Sequence, residues 1–311
     1  MNYGLPYKGS KNLIVSKLCE ILPNANTLYD LFAGGCSVTD YCMSHNKYRH
    51  YIINDIAPTV NVFKNAINGV YKNRYEWVSH EEFNNSNDYF IKLLWSFGNN
   101  CRNYLYSKEC EPYKKAMHYA IVFNDWKYLE ELNIDCSELK RKVNSESDIS
   151  KRKSIIVRNV KLHLMNLEHL KMQNLQNLEN LERLESLGRV QNLERLERVE
   201  SLESLGRVQN LEIYNTDYQK VPLTDKNGII YCDIPYKNTN KYQNEFDYER
   251  FYTWAENQQL PIYISEYSMP EDRFTCIATI NKRSTISATA NNAVIECVYR
   301  PTKQLKIELN W

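Results

Sequence analysis

The chain has 311 residues, a formal net charge of +1 and nine cysteines without a CxxC pair. This length suits one large domain or two modest ones, and the balanced charge confines any polyanion-binding surface to a local patch. Scattered, odd-numbered cysteines argue for reduced thiols and against a disulfide framework or a zinc site, and no apolar run approaches a membrane span.

The opening "MNYGLPYKGSKN" has no long apolar stretch, so no secretory signal is expected and the chain is assigned to the cytoplasm. "NLIVSKLCEILP", Asn12 to Pro23, places apolar residues at helical spacing and stops at a proline. "TLYDLFAGGCS", Thr27 to Ser37, reads as a strand running into a glycine turn, and "SVTDYCMSHN" as a helix. "HYIINDIAP", His50 to Pro58, is a second strand ending in an acid, and the helix "TVNVFKNAING" follows. Strand, turn, helix, strand, helix is the start of a parallel, doubly wound sheet.

From Val70 to Lys161 helical stretches rich in aromatic and basic residues replace the strand alternation. Basic clusters stand at Lys140 to Lys142 and at Lys151, Arg152 and Lys153. Either cluster alone fits a solvated helix face. Together with "GNNCRNYLYSKECEPYKKAMHY" upstream they equally fit a phosphate-contacting surface.

A low-complexity tract then runs from about Leu164 to Leu211, with "LESLGRVQNLE" at Leu184 and again at Leu202. Leucine or valine recurs at every third residue from Leu175 to Leu211. On an α-helix that stripe drifts around the axis, and long 3₁₀ runs are uncommon. The tract is expected to be a helical or partly ordered insert, either an arm for self-association or a repeat expansion tolerated at the surface. Strand signals return in "NLEIYNTDYQ", "GIIYCDIPY" and "LPIYISEYS", with a helix in "FDYERFYTWAENQ" and a β-hairpin in "RFTCIATINKRSTISATANNAVIECVYR". The expected parts are 1–69 and 212–311 as the two portions of one α/β domain, 70–163 as an inserted helical region and 164–211 as the leucine-rich insert.

Asp55, Asp217 and Asp233 all stand at or near expected strand ends. In open α/β sheets ligands bind outside the carboxyl ends of strands. The separation of Gly34 from Asp55 is close to the ~20 residues between a glycine turn and a ribose-holding acid. No GxxxxGK[ST] loop is present, which argues against an ordinary NTPase.

These motifs resemble the Dam-like DNA adenine-N6 methyltransferases over about Tyr3 to Asn68 and Asn210 to Pro301. "YKGSKN" is similar to that family's N-terminal cofactor motif, which implies Tyr7 and Lys11 at an S-adenosyl-L-methionine site. "YDLFAGGCS" resembles its FxGxG motif through Phe32 and Gly34, and "NDIAP" its ribose-holding acid, here Asp55. "NTDY" looks like the segment whose acid, Asp217, lies near the cofactor adenine. "CDIPY" resembles the catalytic DPPY tetrad, implying Asp233, Ile234, Pro235 and Tyr236 as catalytic residues and Asp233 also beside the cofactor. The motif order matches the family's α group.

The resemblance implies a class I, Rossmann-like methyltransferase fold with an inserted target-recognition region, and no metal. It implies double-stranded DNA as partner, contacted by Lys151, Arg152 and Lys153, and a bacterial or phage source. A cognate restriction endonuclease is a further partner of the kind such enzymes have.

Two positions depart from the family pattern. Cys36 replaces the second glycine of FxGxG, and Ile234 replaces the first proline of the tetrad while keeping its backbone carbonyl. A cytosine-C5 enzyme needs a Pro-Cys nucleophile, and no cysteine here follows a proline. Cytosine-N4 enzymes usually begin the tetrad with serine, so Asp233 favours adenine. The remaining alternatives are a DNA-binding member of the same fold with impaired catalysis, and an RNA or protein-glutamine methyltransferase with a related tetrad, against which the large basic, aromatic region between the cofactor motifs and the tetrad weighs.

Overall fold

The computed structural model describes residues 2–144, 146, 149–172, 190–205, 210–237, 246–283 and 293–308. It divides into two compact units, Met1–Lys72 with Glu200–Trp311, and Asn73–Val199. Among the described residues no helix is long and apolar enough to cross a membrane.

The first unit is built on a seven-stranded sheet. Its strands are β1 (Thr27–Asp30), β2 (His50–Asn54), β3 (Leu211–Tyr214), β4 (Gly228–Asp233), β5 (Ile262–Glu266), β6 (Phe274–Arg283) and β7 (Ala293–Pro301), in the order β3-β2-β1-β4-β5-β7-β6. β1 to β5 are parallel, and β7 runs antiparallel between β5 and β6. β1 and β4 are almost wholly buried, as expected of inner strands covered on both faces.

The two-residue period of a strand sorts the core onto two faces. Ile229 and Tyr231 of β4 pack with Leu18 of α1 (Val15–Ile21) and with Val38 and Cys42 of α2 (Ser37–Ser44). Ile230 and Cys232 pack on the other face with Phe251 and Tyr252 of the helix Tyr248–Glu256. α1 ends where Leu22 turns extended, as the steric demand of Pro23 requires. α3 (Thr59–Ile67) buries Val60, Phe63 and Ile67 at helical spacing.

The second unit is helical, with helices at His80–Asn85, Tyr89–Leu94, Glu111–Val122, Lys127–Glu131, Ser137–Asn144, Ile149–Met172 and Gln191–Ser201. A capping box between Ser79 and Glu82 fixes the start of the first. Ala116, Ala120, Leu139, Ile156 and Val160 form part of its core.

Val190 and Leu193, from the tract expected to be an insert, belong to that same core. Leu196 and Val199 are buried as well. A step of three residues falls about 60° short of a full α-helical turn, so this stripe winds round the helix and its residues are buried on more than one side. The chain then tightens into a 3₁₀ turn at Leu202–Leu205, where a period of three does align. Residues 173–189 and 206–209, which hold most of the two repeats' glycine segments, lie outside the described residues.

Candidate active site

The strand order turns back on itself between β1 and β4, which leave the sheet side by side at their carboxyl ends. This is the switch point at which open α/β sheets place ligands. The glycine turn follows β1 and is closed by Ala33 N–H donating to the Asn54 carbonyl and Cys36 N–H to the Ala33 carbonyl. Gly34 has φ +50°, and a Cβ there would lie 2.8 Å from the Tyr7 ring, so this aromatic residue sits directly on the turn. Gly4 packs closer still, since a Cβ would meet the Gly35 carbonyl oxygen at 2.2 Å. Cys36, at the position of the family's second glycine, adopts φ +60°, the left-handed conformation that glycine enters most readily. The thiol side chain is buried there.

Asp55 stands one residue beyond β2 and braces this turn. Its Oδ2 accepts from Gly34 N–H and its Oδ1 from Ala57 N–H, both at 2.8 Å. Burial pushes its pKa up, and the backbone N–H groups of Ala57 and Gly34 oppose the rise. Asn215 clamps the same loop by donating to the carbonyls of Asp55, Ile56 and Ala57.

Asp217 lies past the end of β3 and caps a 3₁₀ turn, with Oδ1 accepting from Gln219 N–H and Oδ2 2.9 Å from Arg250. Burial would raise its pKa, but Gln219 N–H and Arg250 together hold it below the usual carboxylate value. Phe32 fills the space between with its ring 5.1 Å from Tyr218 and 5.7 Å from both Phe246 and Phe251. Phe32, Asp55 and Asp217 therefore belong to one neighbourhood at the carboxyl ends of β1, β2 and β3.

Asp233 ends β4, and its side chain is 21% exposed. Ile234 is buried in the core, and the Pro235 carbonyl accepts from the Tyr248 hydroxyl at 2.9 Å. Lys11 comes in from the N-terminal segment. Its Nζ donates to Asp233 Oδ1 and to the Tyr236 hydroxyl, both at 2.5 Å, and lies 3.2 Å from Glu296 Oε1. Burial would lower the pKa of this ammonium, but Asp233 and Glu296 outweigh that and raise it. The Tyr236 hydroxyl donates to Glu296 Oε1, and Tyr267 stacks on the Tyr236 ring at 4.3 Å. Burial, then Asp233 and Glu296, push the Tyr236 pKa up, so it remains a phenol.

The site holds other acids that sequence reasoning missed. Asp30, at the end of β1, is buried, accepts from Thr39 Oγ1, and is pushed up to about 7 by burial. Glu266, at the end of β5, is likewise pushed up to about 7 by burial, against the pull of the Tyr267 N–H. "YDL" and "SEY" carried the same strand-end signal as "NDI" and "CDI". Glu296 had a fainter one, a lone carboxylate inside the apolar run "AVIECVY".

Lys151, Arg152 and Lys153 belong to the helical unit. Lys151 lies 3.6 Å from Glu146 and Lys153 lies 3.4 Å from Glu194. Arg152 donates to the Asn124 side-chain carbonyl at 3.4 Å. Lys151 is the most open of the three, with a side chain 66% exposed.

The sequence model of the family described as D12 class N6 adenine-specific DNA methyltransferase matches residues 7–187, more than half of the chain. The matched span takes in Tyr7, Lys11, the glycine turn, Asp55 and nearly all of the helical unit, and stops before the tetrad. No curated protein matches the chain.

Proposed function

The chain belongs to the D12 class N6 adenine-specific DNA methyltransferases, and on that premise we propose that it carries a methyl group from S-adenosyl-L-methionine to the N6 amine of an adenine flipped out of double-stranded DNA. The observation that carries this reading is that Asp233 ends β4 next to β1, the strand from which the glycine turn leaves, with Lys11 bonded to both Asp233 and Tyr236. Residues fit for the cofactor are at hand: Tyr7 over Gly34, the carboxylate of Asp55, and the aromatic wall of Phe32 near Asp217. The cofactor supplies an electrophilic sulfonium methyl.

The adenine amine is a poor nucleophile because its lone pair is delocalised into the ring. Asp233 and the Ile234 carbonyl accept its two N–H bonds, which favours a more tetrahedral nitrogen with its lone pair free to attack. With the sulfonium methyl in line, the amine lone pair would form the N–CH₃ bond as the S–CH₃ pair returned to sulfur, leaving a neutral thioether, and the proton released from the nitrogen would pass through Asp233 to water. Positioning and fixed hydrogen-bond acceptors do most of the work. A base inside a duplex cannot reach the pocket, so it must leave the stack, and Tyr236 offers it a ring face. The Asn73–Val199 unit serves as the recognition region, with Lys151, Arg152 and Lys153 as phosphate contacts that set affinity and not sequence choice.

Transfer of labelled methyl groups to unmethylated DNA tests the assignment. Asp233→Ala is expected to abolish transfer with the fold retained. Tyr236→Ala is expected to weaken it by about 1–3 kcal/mol of lost stacking. Normal transfer by Asp233→Ala would remove the basis of the reading.

A further inference from the structure

Methyl transfer as proposed gives no task to Glu296. This residue is fully buried in β7, where an uncompensated carboxylate is costly. Its Oε1 accepts from the Tyr236 hydroxyl and faces the Lys11 ammonium, while its Oε2 has no hydrogen-bond partner among the described residues. Lys11 is itself 2% exposed, so one buried ammonium serves two carboxylates and a phenol.

That arrangement answers a conflict in the chemistry. An ammonium paired with Asp233 alone would compete with the target amine for the oxygens that must accept the amine's hydrogens. A second carboxylate gives Lys11 a counter-ion that stays in place when Asp233 turns to the base. The same carboxylate fixes the Tyr236 hydroxyl, and Tyr267 backs the ring, so the stacking platform is oriented before a base arrives.

We propose that Glu296 is a positioning residue for methyl transfer, sharing the Lys11 ammonium and holding the Tyr236 hydroxyl so that Asp233 remains able to accept the target amine. The inference rests on the methyl-transfer reading above. It is tested by single-turnover transfer, cofactor and DNA binding, and thermal melting of Glu296→Gln, Glu296→Asp, Lys11→Met and the Lys11→Met/Glu296→Gln double variant.

Glu296→Gln is expected to slow transfer about 10- to 100-fold while both dissociation constants move by less than about threefold. Glu296→Asp, which keeps the charge, recovers part of the rate. Glu296→Gln alone is expected to melt below the wild type, and in the Lys11→Met background that sign reverses. There Glu296→Gln removes a carboxylate that has lost its cation, so the double variant melts higher than Lys11→Met alone.

Unchanged transfer by Glu296→Gln, or a double variant that melts lower than Lys11→Met, overturns the inference. If Glu296→Gln alone fails to fold, the melting order in the Lys11→Met background decides, since both of those proteins lack the ammonium. Absence of transfer by the wild-type chain refutes the methyl-transfer reading, and the role of Glu296 in transfer with it. The melting comparison still decides the charge sharing by itself.

Discussion

Asp55 shows how one residue can serve two ends. Its carboxylate oxygens hold Gly34 N–H and Ala57 N–H, and each retains further lone pairs for ribose hydroxyls. Asp55→Asn removes the charge and turns one of its two acceptors into a donor facing an N–H group. Charged hydrogen bonds are worth roughly 1.5–3 kcal/mol, so cofactor affinity should fall by that order while DNA affinity changes much less. Titration calorimetry with each ligand checks this, and a larger loss for DNA than for cofactor would contradict it. The sequence pointed to Asp55 through its place at an expected strand end together with its distance from the glycine turn. It could not show Glu296, whose only signal is a charge in an apolar strand. It placed Lys11 near the cofactor by resemblance, whereas the fold, bringing positions 11, 233 and 296 together, puts the ammonium against the tetrad acid.

At the scale of elements, the strands and helices flanking the site were legible because their periods are clean. "IIYCD" and "IYISE" read as strands, and β4 and β5 are buried along nearly their whole length. The leucine tract was harder, because a period of three matches neither helix nor strand. What ties its last helix down is also polar. His118 Nε2–H donates to the Tyr75 carbonyl, its Nδ1 accepts from Asn192 Nδ2, and the Tyr106 hydroxyl donates to Asn192 Oδ1.

This tautomer needs a neutral imidazole, and burial lowers the His118 pKa to about 4 against an ordinary 6.5. Between those values the unfolded chain binds more protons than the folded one. The stability is therefore fully present above pH 6.5 and is lost as pH falls towards 4, by at most about 1.4 kcal/mol per pH unit. Denaturant titrations from pH 7 to pH 4.5 test this, followed by tryptophan fluorescence because Trp77 lies 5.5 Å from His118 and 5.0 Å from Trp95. The stability advantage of wild type over His118→Gln should shrink across that window. Parallel curves would contradict the account.

At the scale of the molecule, the helical unit enters the chain between α3 and β3, and the sheet resumes after it with β3 beside β2. Insertion there leaves β1 and β4 adjacent, and Lys11 meets Asp233 although more than 200 residues separate them. Motif order put both residues in one proposed site. The packing of Val190 and Leu193 into the helical core was not, because low-complexity sequence gives no sign of which repeats a core takes up. Mass spectrometry of nucleosides from unmethylated DNA treated with the full chain and S-adenosyl-L-methionine decides whether this fold methylates the N6 amine of adenine. N6-methyladenine is expected from the wild-type chain and none from Asp233→Ala; N4-methylcytosine as the sole product, or no methylated base at all, would refute adenine-N6 transfer.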